Sequence, residues 1–213
     1  GPRGVVTDSA GNVFVLGSST GREVEAFFDQ NSDMVVVKYD PSGTQVAEWR
    51  HDILGGGWDY LTTVASAPDG RTYVSGGSEY PGRQVDVVTI CYDRHGLERW
   101  RARYDGPTSE NDQAIKLLVG ASGSVYVLVV SDGDGTMADY ATIKYDADGN
   151  QQWVQRFDGA YHHDDYPMAI ALDAFENIYV TGFSSLPTPH LKEVVTIKYD
   201  PNGQKSWITH DPG

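Results

Sequence analysis

The segment GAYHHDDYP, residues 159–167, holds the densest set of side chains able to do chemistry: Tyr161, His162, His163, Asp164, Asp165 and Tyr166. A His–Asp pair there would serve as a general base, and zinc would need three or four converging ligands. Adjacent histidines on an extended chain point apart, which counts against zinc. The equivalent segments GGGWDYL and GPTSENDQ keep only the aspartate. An aromatic and acidic rim built from Trp58, Tyr60, Tyr161 and Tyr166 would instead cradle a sugar. The candidate ligand-binding residues are therefore Trp58, Tyr161, His162 and Asp164.

A second candidate is SDGDGTMAD, where Asp132, Asp134 and Asp139 alternate with Gly133 and Gly135. Hard oxygen ligands at such spacing suit calcium, although the bidentate glutamate and full spacing of an EF-hand loop are missing. A flexible polar loop is the competing reading. Asp33, Asp86, Asp139 and Glu193 recur at one repeated position, and Asp59, Asp112 and Asp165 at another. They form either a rim of carboxylates for cationic ligands or a set of braces that hydrogen-bond backbone amides between repeats. Recurrence favours bracing, because a single asymmetric active site has no use for four copies. Cys91 replaces a repeated lysine and reads as half-buried filler. The serines lie in no nucleophile-elbow context, so no catalytic residue is assigned.

The elements that must position these groups are repeated. Tyr39, Tyr92, Tyr145 and Tyr199 follow one another at steps of 53, 53 and 54 residues, and a step that constant marks an internal repeat. Each copy carries two short apolar strands, a variable loop, a third strand such as DMVVVKY or EVVTIKY, and a turn into a fourth strand. The turns DPSG, DRHG, DADG and DPNG match a type I turn closed by a glycine bulge. Both faces of the third strand are apolar or β-branched, as in Val35, Val37, Met34 and Val36 of the first copy, so the sheet should be covered on both sides. Four-stranded sheets in series that bury both faces are propeller blades. Trp100, Trp153 and Trp207 each stand four residues after the turn glycine, and Trp49 six. A two-residue displacement keeps a side chain on the same face of a strand. Each buried indole is worth about 4–6 kcal/mol gross, from roughly 150–250 Å² at about 25 cal/mol per Å². The fold class is thus all-β: a propeller of four four-stranded antiparallel blades at about 3–52, 53–105, 106–158 and 159–213. A short helix over residues 23–30 is the one departure considered.

The chain has 213 residues, 24 of them glycine, and a net charge of −14. One domain of this length buries a sizeable core. The charge and the scattered lysines and arginines argue against nucleic acid as a partner. No apolar run reaches the length of a membrane span. A lone cysteine excludes an internal disulfide. The opening GPRGVV shows no signal peptide and reads as a tag-cleavage scar, which leaves room for a leader removed upstream.

The pattern of a Lys-Tyr-Asp-x-x-Gly-x-x-x-Trp turn, followed by an Asp-containing loop and the stretch seen as DAFENIYVTG, resembles the bacterial SBBP-type β-propeller repeat. The likeness runs through all four copies. The third departs with Val129 in place of Gly17, Gly76 and Gly182, and the second with Cys91 in place of Lys38, Lys144 and Lys198. The resemblance implies a secreted or cell-surface bacterial propeller with no defined activity. Three readings of function follow: a non-catalytic scaffold for binding, adhesion or assembly, with a glycan or protein ligand; a carbohydrate-active or quinoprotein-like propeller enzyme; and a self-assembling fibre or surface-layer subunit. The first is preferred, because no catalytic constellation stands out from the repeat. Four blades would close alone, continue into neighbouring blades of a longer parent chain, or form half of an eight-bladed ring made by two chains. Sheet twist suits the gentler angle of the homodimer.

Overall fold

A computed structural model describes residues 1–20, 32–51, 58–79, 84–108, 110–188 and 191–212. The helix considered over 23–30 falls outside them. The first sheet is β1 (Pro2–Thr7), β2 (Val13–Thr20), β3 (Ser32–Tyr39) and β4 (Gln45–His51). The second is β5 (Asp59–Ser66), β6 (Thr72–Glu79), β7 (Val85–Tyr92) and β8 (Glu98–Tyr104). The third is β9 (Asp112–Val119), β10 (Val125–Asp132), β11 (Ala138–Tyr145) and β12 (Gln151–Phe157). The fourth is β13 (Asp165–Leu172), β14 (Ile178–Ser185), β15 (Lys192–Tyr199) and β16 (Lys205–Asp211). Each sheet is an antiparallel meander in chain order, and the described residues contain no helix.

The turns form as their residues dictate. In Asp40–Thr44 the Gly43 N–H donates to the Asp40 carbonyl and the Asp40 N–H to Thr44. Gly43, Gly96, Gly149 and Gly203 adopt φ of 82–86°, a region glycine enters at little steric cost. The Asp40 carboxylate accepts the N–H groups of Ser42 and Thr44, and Asp93, Asp146 and Asp200 repeat the arrangement. The register slips by one residue at each of the four tyrosines, where β3 meets β4 and at its three equivalents. That slip is the expected bulge.

Successive sheets pack face to face through three apolar cores. Phe14, Leu16, Met34 and Val36 meet Val74, Val88, Ile90 and Tyr92. Tyr73, Val87 and Cys91 meet Val127, Ile143 and Tyr145. Tyr126, Leu128 and Tyr140 meet Val180, Ile197 and Tyr199. β1, β5, β9 and β13 run beside one another in that order. The second and third sheets are covered on both faces, as the apolar pattern predicts, and β6, β7, β10 and β11 are almost wholly buried. The first and fourth sheets each have a neighbour on one side only, so Val5, Met168, Val194 and Trp207 stay exposed. The four sheets do not close into a ring. Antiparallel order places the short turns on one rim. The far ends of the second and fourth strands lie on the other, the loop rim, and every candidate ligand-binding and calcium residue lies there.

Candidate functional site: carboxylate junctions on the loop rim

Two carboxylate triads, each with two buried members and one half-buried, occupy equivalent junctions. Asp86, Asp105 and Asp112 lie between the second and third sheets, and Asp139, Asp158 and Asp165 between the third and fourth. In each triad one oxygen per residue lies within 4.8 Å of the others. An arginine from the fourth strand stands at each. Arg103 pairs with Asp86 and, at 2.9 Å, with Asp105. Arg156 donates to Asp139 Oδ2 at 2.9 Å, Tyr104 Oη at 3.0 Å and Ser131 Oγ at 2.6 Å. Thr136 Oγ1 adds a second donor to Asp139.

The third acid of each triad ties down the incoming loop. Gly106 N–H donates to Asp112 Oδ2 at 2.7 Å and Gly159 N–H to Asp165 Oδ2 at 2.5 Å. Both loop residues must be glycine for this approach. A Cβ on Gly106 would lie 2.6 Å from Ser131 Oγ, and one on Gly159 would lie 2.3 Å from Ser184 Oγ. Burial pushes the Asp112 carboxyl up to about 6, and burial likewise raises Asp139 and Asp165. Water exclusion outweighs the hydrogen bonds that favour the charged form.

The structure groups the residues of the calcium set differently from their order in sequence. Asp139 meets Asp158 and Asp165, whereas Asp132 and Asp134 belong to neither triad. The loop 133–137 is closed by Gly133 N–H donating to the Met137 carbonyl, and Asp134 is exposed. The strand pairing of β11 with β12 brings 139 towards 158, which sequence neighbourhood cannot reveal. Calcium takes six to eight oxygens, while the triad supplies three carboxylates, and a guanidinium already sits on Asp139.

The ligand-binding candidates are also separated. His162, at φ 54°, points its Nδ1 to Asp158 Oδ2 at 2.5 Å. His163 and Asp164 line a rim depression of about 390 Å³, together with Met137, Leu186, Leu191 and Lys192. Beside it Tyr166 packs on Phe183 with centroids 5.5 Å apart, and Lys192 Nζ lies 3.6 Å from the Phe183 ring centroid. Tyr161 is exposed on the same rim. Trp58 belongs to an earlier junction, where its N–H and carbonyl bond Glu79. Among the described residues no ring contact or hydrogen bond joins it to 161–166.

The repeat tryptophans do come to equivalent places. Trp49, Trp100 and Trp153 each lie between an aromatic ring of their own sheet and the repeat tyrosine of the next: Tyr92, Tyr145 and Tyr199. Trp49 pairs two residues further along its strand yet reaches the same neighbour. Arg103 and Arg156 were missed from sequence. Their signal is the 53-residue step from Arg50 to Arg103 to Arg156. Glu176 was missed as well: from φ 59° it accepts Ser122 N–H at 2.6 Å and Tyr126 Oη–H at 3.0 Å across the sheet boundary.

No family model matches the chain. Over 158 residues, 67% of its length, it is 30% identical to Regulatory protein FlaEY of Caulobacter vibrioides. The chain spans about 15% of the length of that curated relative. Among solved structures, a protein of unknown function from Dyadobacter fermentans is similar at a TM-score of 0.60 and 13% identity, over 98% of this chain and 68% of that one. An α-L-arabinofuranosidase from Clostridium thermocellum is similar at 0.51 and 13% identity, over 100% and 72%. Likeness at that identity speaks for the fold alone. It defines the chain as an all-β protein of propeller-like fold.

Proposed function

We propose that the chain is a run of β-propeller blades serving as a non-catalytic binding and assembly scaffold outside the cell, with its ligand surface on the loop rim. The observation that carries this reading is the use made of the buried acids. At both junctions the same set recurs: an arginine neutralises an acid of its own sheet, and a loop glycine donates to the first acid of the next sheet, so the carboxylates are engaged in structure. The extracellular placement is supported by the resemblance of the repeat to SBBP-type propellers. The depression lined by His163, Asp164 and Lys192, with the Tyr166–Phe183 pair alongside, offers a cation, an anion and aromatic faces. That combination suits a polar glycan or a peptide.

The test is titration calorimetry against glycans and peptides selected on arrays, run beside hydrolysis assays on aryl glycosides that include an arabinofuranoside. Saturable binding, weakened at least about tenfold by Asp164→Ala or Lys192→Ala, with no product formed, is the expected result. Turnover above background that Asp112→Asn or Asp165→Asn abolishes would replace the scaffold with a glycan-active enzyme.

A further inference from the structure

Every junction inside the chain uses one knob and one socket. At the boundary of the third and fourth sheets, Trp153 Nε1–H and Lys144 Nζ–H both donate to the Pro201 carbonyl, at 3.2 and 2.8 Å. The indole covers Gly203 and packs against Tyr199 at 6.5 Å. Trp100 repeats this over Gly149 and Tyr145, with its N–H on the Ala147 carbonyl. Trp49 does so over Gly96 and Tyr92, while Lys38 reaches the Arg94 carbonyl.

The fourth sheet presents the same knob with nothing to enter. Trp207 packs on Tyr179 of its own sheet at 6.1 Å and is 41% exposed. Among the described residues its N–H meets no carbonyl. Lys198 stands beside it over the Tyr179 ring. Met168 and Val194 extend the same open face.

The first sheet presents the same socket with nothing in it. A Cβ on Gly43 would meet no atom within 4 Å, whereas at Gly96, Gly149 and Gly203 it would strike a tryptophan ring at 2.0–2.8 Å. Tyr39 is half-buried where its three counterparts are buried. Among the described residues the Pro41 carbonyl receives no donor. Val15, Val35 and Val37 line an apolar depression of about 220 Å³ on that face. The turn DPSG, residues 40–43, also has the proline of DPNG, residues 200–203, whose carbonyl takes both donors in the occupied junction.

We propose that the open face of the fourth sheet docks head to tail on the open face of the first sheet of a second copy of this chain. Trp207 then covers Gly43 and Tyr39, and Lys198 and the Trp207 N–H share the Pro41 carbonyl. The contact continues the junction between the third and fourth sheets, residue for residue. Among the described residues the two open faces do not meet each other, and knob and socket both belong to this sequence, so a second copy carries the match. A heterologous contact either closes a ring or grows an open chain; two copies of four sheets close when two such contacts form at once. The inference rests on reading the sheets as serial blades, and it is independent of what the loop rim binds.

The experiment is light scattering on the full chain from about 1 to 100 μM, with Trp207→Ala and Gly43→Ala each alone and then mixed in equal amounts. The wild type is expected at twice 23.3 kDa or above, and each variant at the single-chain mass. The mixture is expected to recover a pair, because one variant keeps the socket and the other the knob. Circular dichroism checks that each variant is folded, and Lys198→Glu, on the open face of the fourth sheet, is a milder second disruption of the knob. A wild type that stays at 23.3 kDa throughout, variants that associate as well as the wild type, or folded variants whose mixture remains monomeric would each overturn the proposal. None of these results touches rim binding, so the scaffold reading stands or falls separately.

Discussion

Replacing Gly149 with alanine should cost much more than replacing Gly43, although the two occupy the same turn. Both sit at left-handed φ, 85° and 86°, where a Cβ costs about 1 kcal/mol in backbone strain. At Gly43, below the concentration at which copies associate, that is the whole penalty, because the space around it is open. At Gly149 the new methyl would stand 2.5 Å from the Trp100 ring. The indole must move away from Tyr145 and release its N–H from the Ala147 carbonyl. An indole buries roughly 150–250 Å², and Trp100 is half-buried, so displacing it forfeits about 2–3 kcal/mol at about 25 cal/mol per Å². Gly149→Ala should therefore destabilise by about 3–4 kcal/mol and Gly43→Ala by about 1. Urea unfolding followed by tryptophan fluorescence measures both, with circular dichroism as a second probe, because serial repeats can depart from two-state unfolding. Losses that agree within about 0.5 kcal/mol would refute the view that the indole over the glycine holds neighbouring sheets together.

Asp112→Asn tests the buried triad. Its carboxyl is raised from 3.8 to about 6, so the folded state holds the proton more tightly than the unfolded chain. Stability falls as pH rises through that window, and the penalty is complete above about pH 7. The variant should match the wild type near pH 4 and exceed it by about 2–3 kcal/mol at pH 7.5 in thermal melts; a difference independent of pH would contradict the assignment. Arg156→Ala leaves Asp139 buried without its guanidinium and should cost about 3 kcal/mol. Arg156→Lys should rescue little of it, since a point charge cannot reach Tyr104, Ser131 and Asp139 together; a loss below about 1 kcal/mol would show the clamp to be dispensable. Burial pushes the Cys91 thiol up to about 11. The native protein at pH 8 should therefore react with a disulfide reagent on the order of 100-fold more slowly than the urea-unfolded chain, and equal rates would mean that the second sheet opens readily.

The turns, the strand faces and the place of the tryptophans were legible in sequence because each is a local rule applied four times. Asp40 and Gly43 fix a turn by their own geometry, and Trp49 could move two residues without changing face. The triads were not legible, because their members meet only through strand pairing and sheet packing. Asp139 lies seven residues from Asp132 in sequence, yet it joins Asp158 and Asp165. Compensation is hidden in the same way. Where Cys91 interrupts the lysine series, Arg71 from the turn that leads into β6 donates to the Ala147 carbonyl at 3.1 Å, the position that Lys38 and Lys144 reach in their own junctions. A repeat thus declares what each copy does to the next and is silent about whatever one copy does alone. The asymmetry that remains is at the ends, where the same rule leaves Trp207 without a glycine to cover and Gly43 without an indole. The strictness of the internal junctions is what makes that vacancy informative: three occupied sockets define the shape of the fourth.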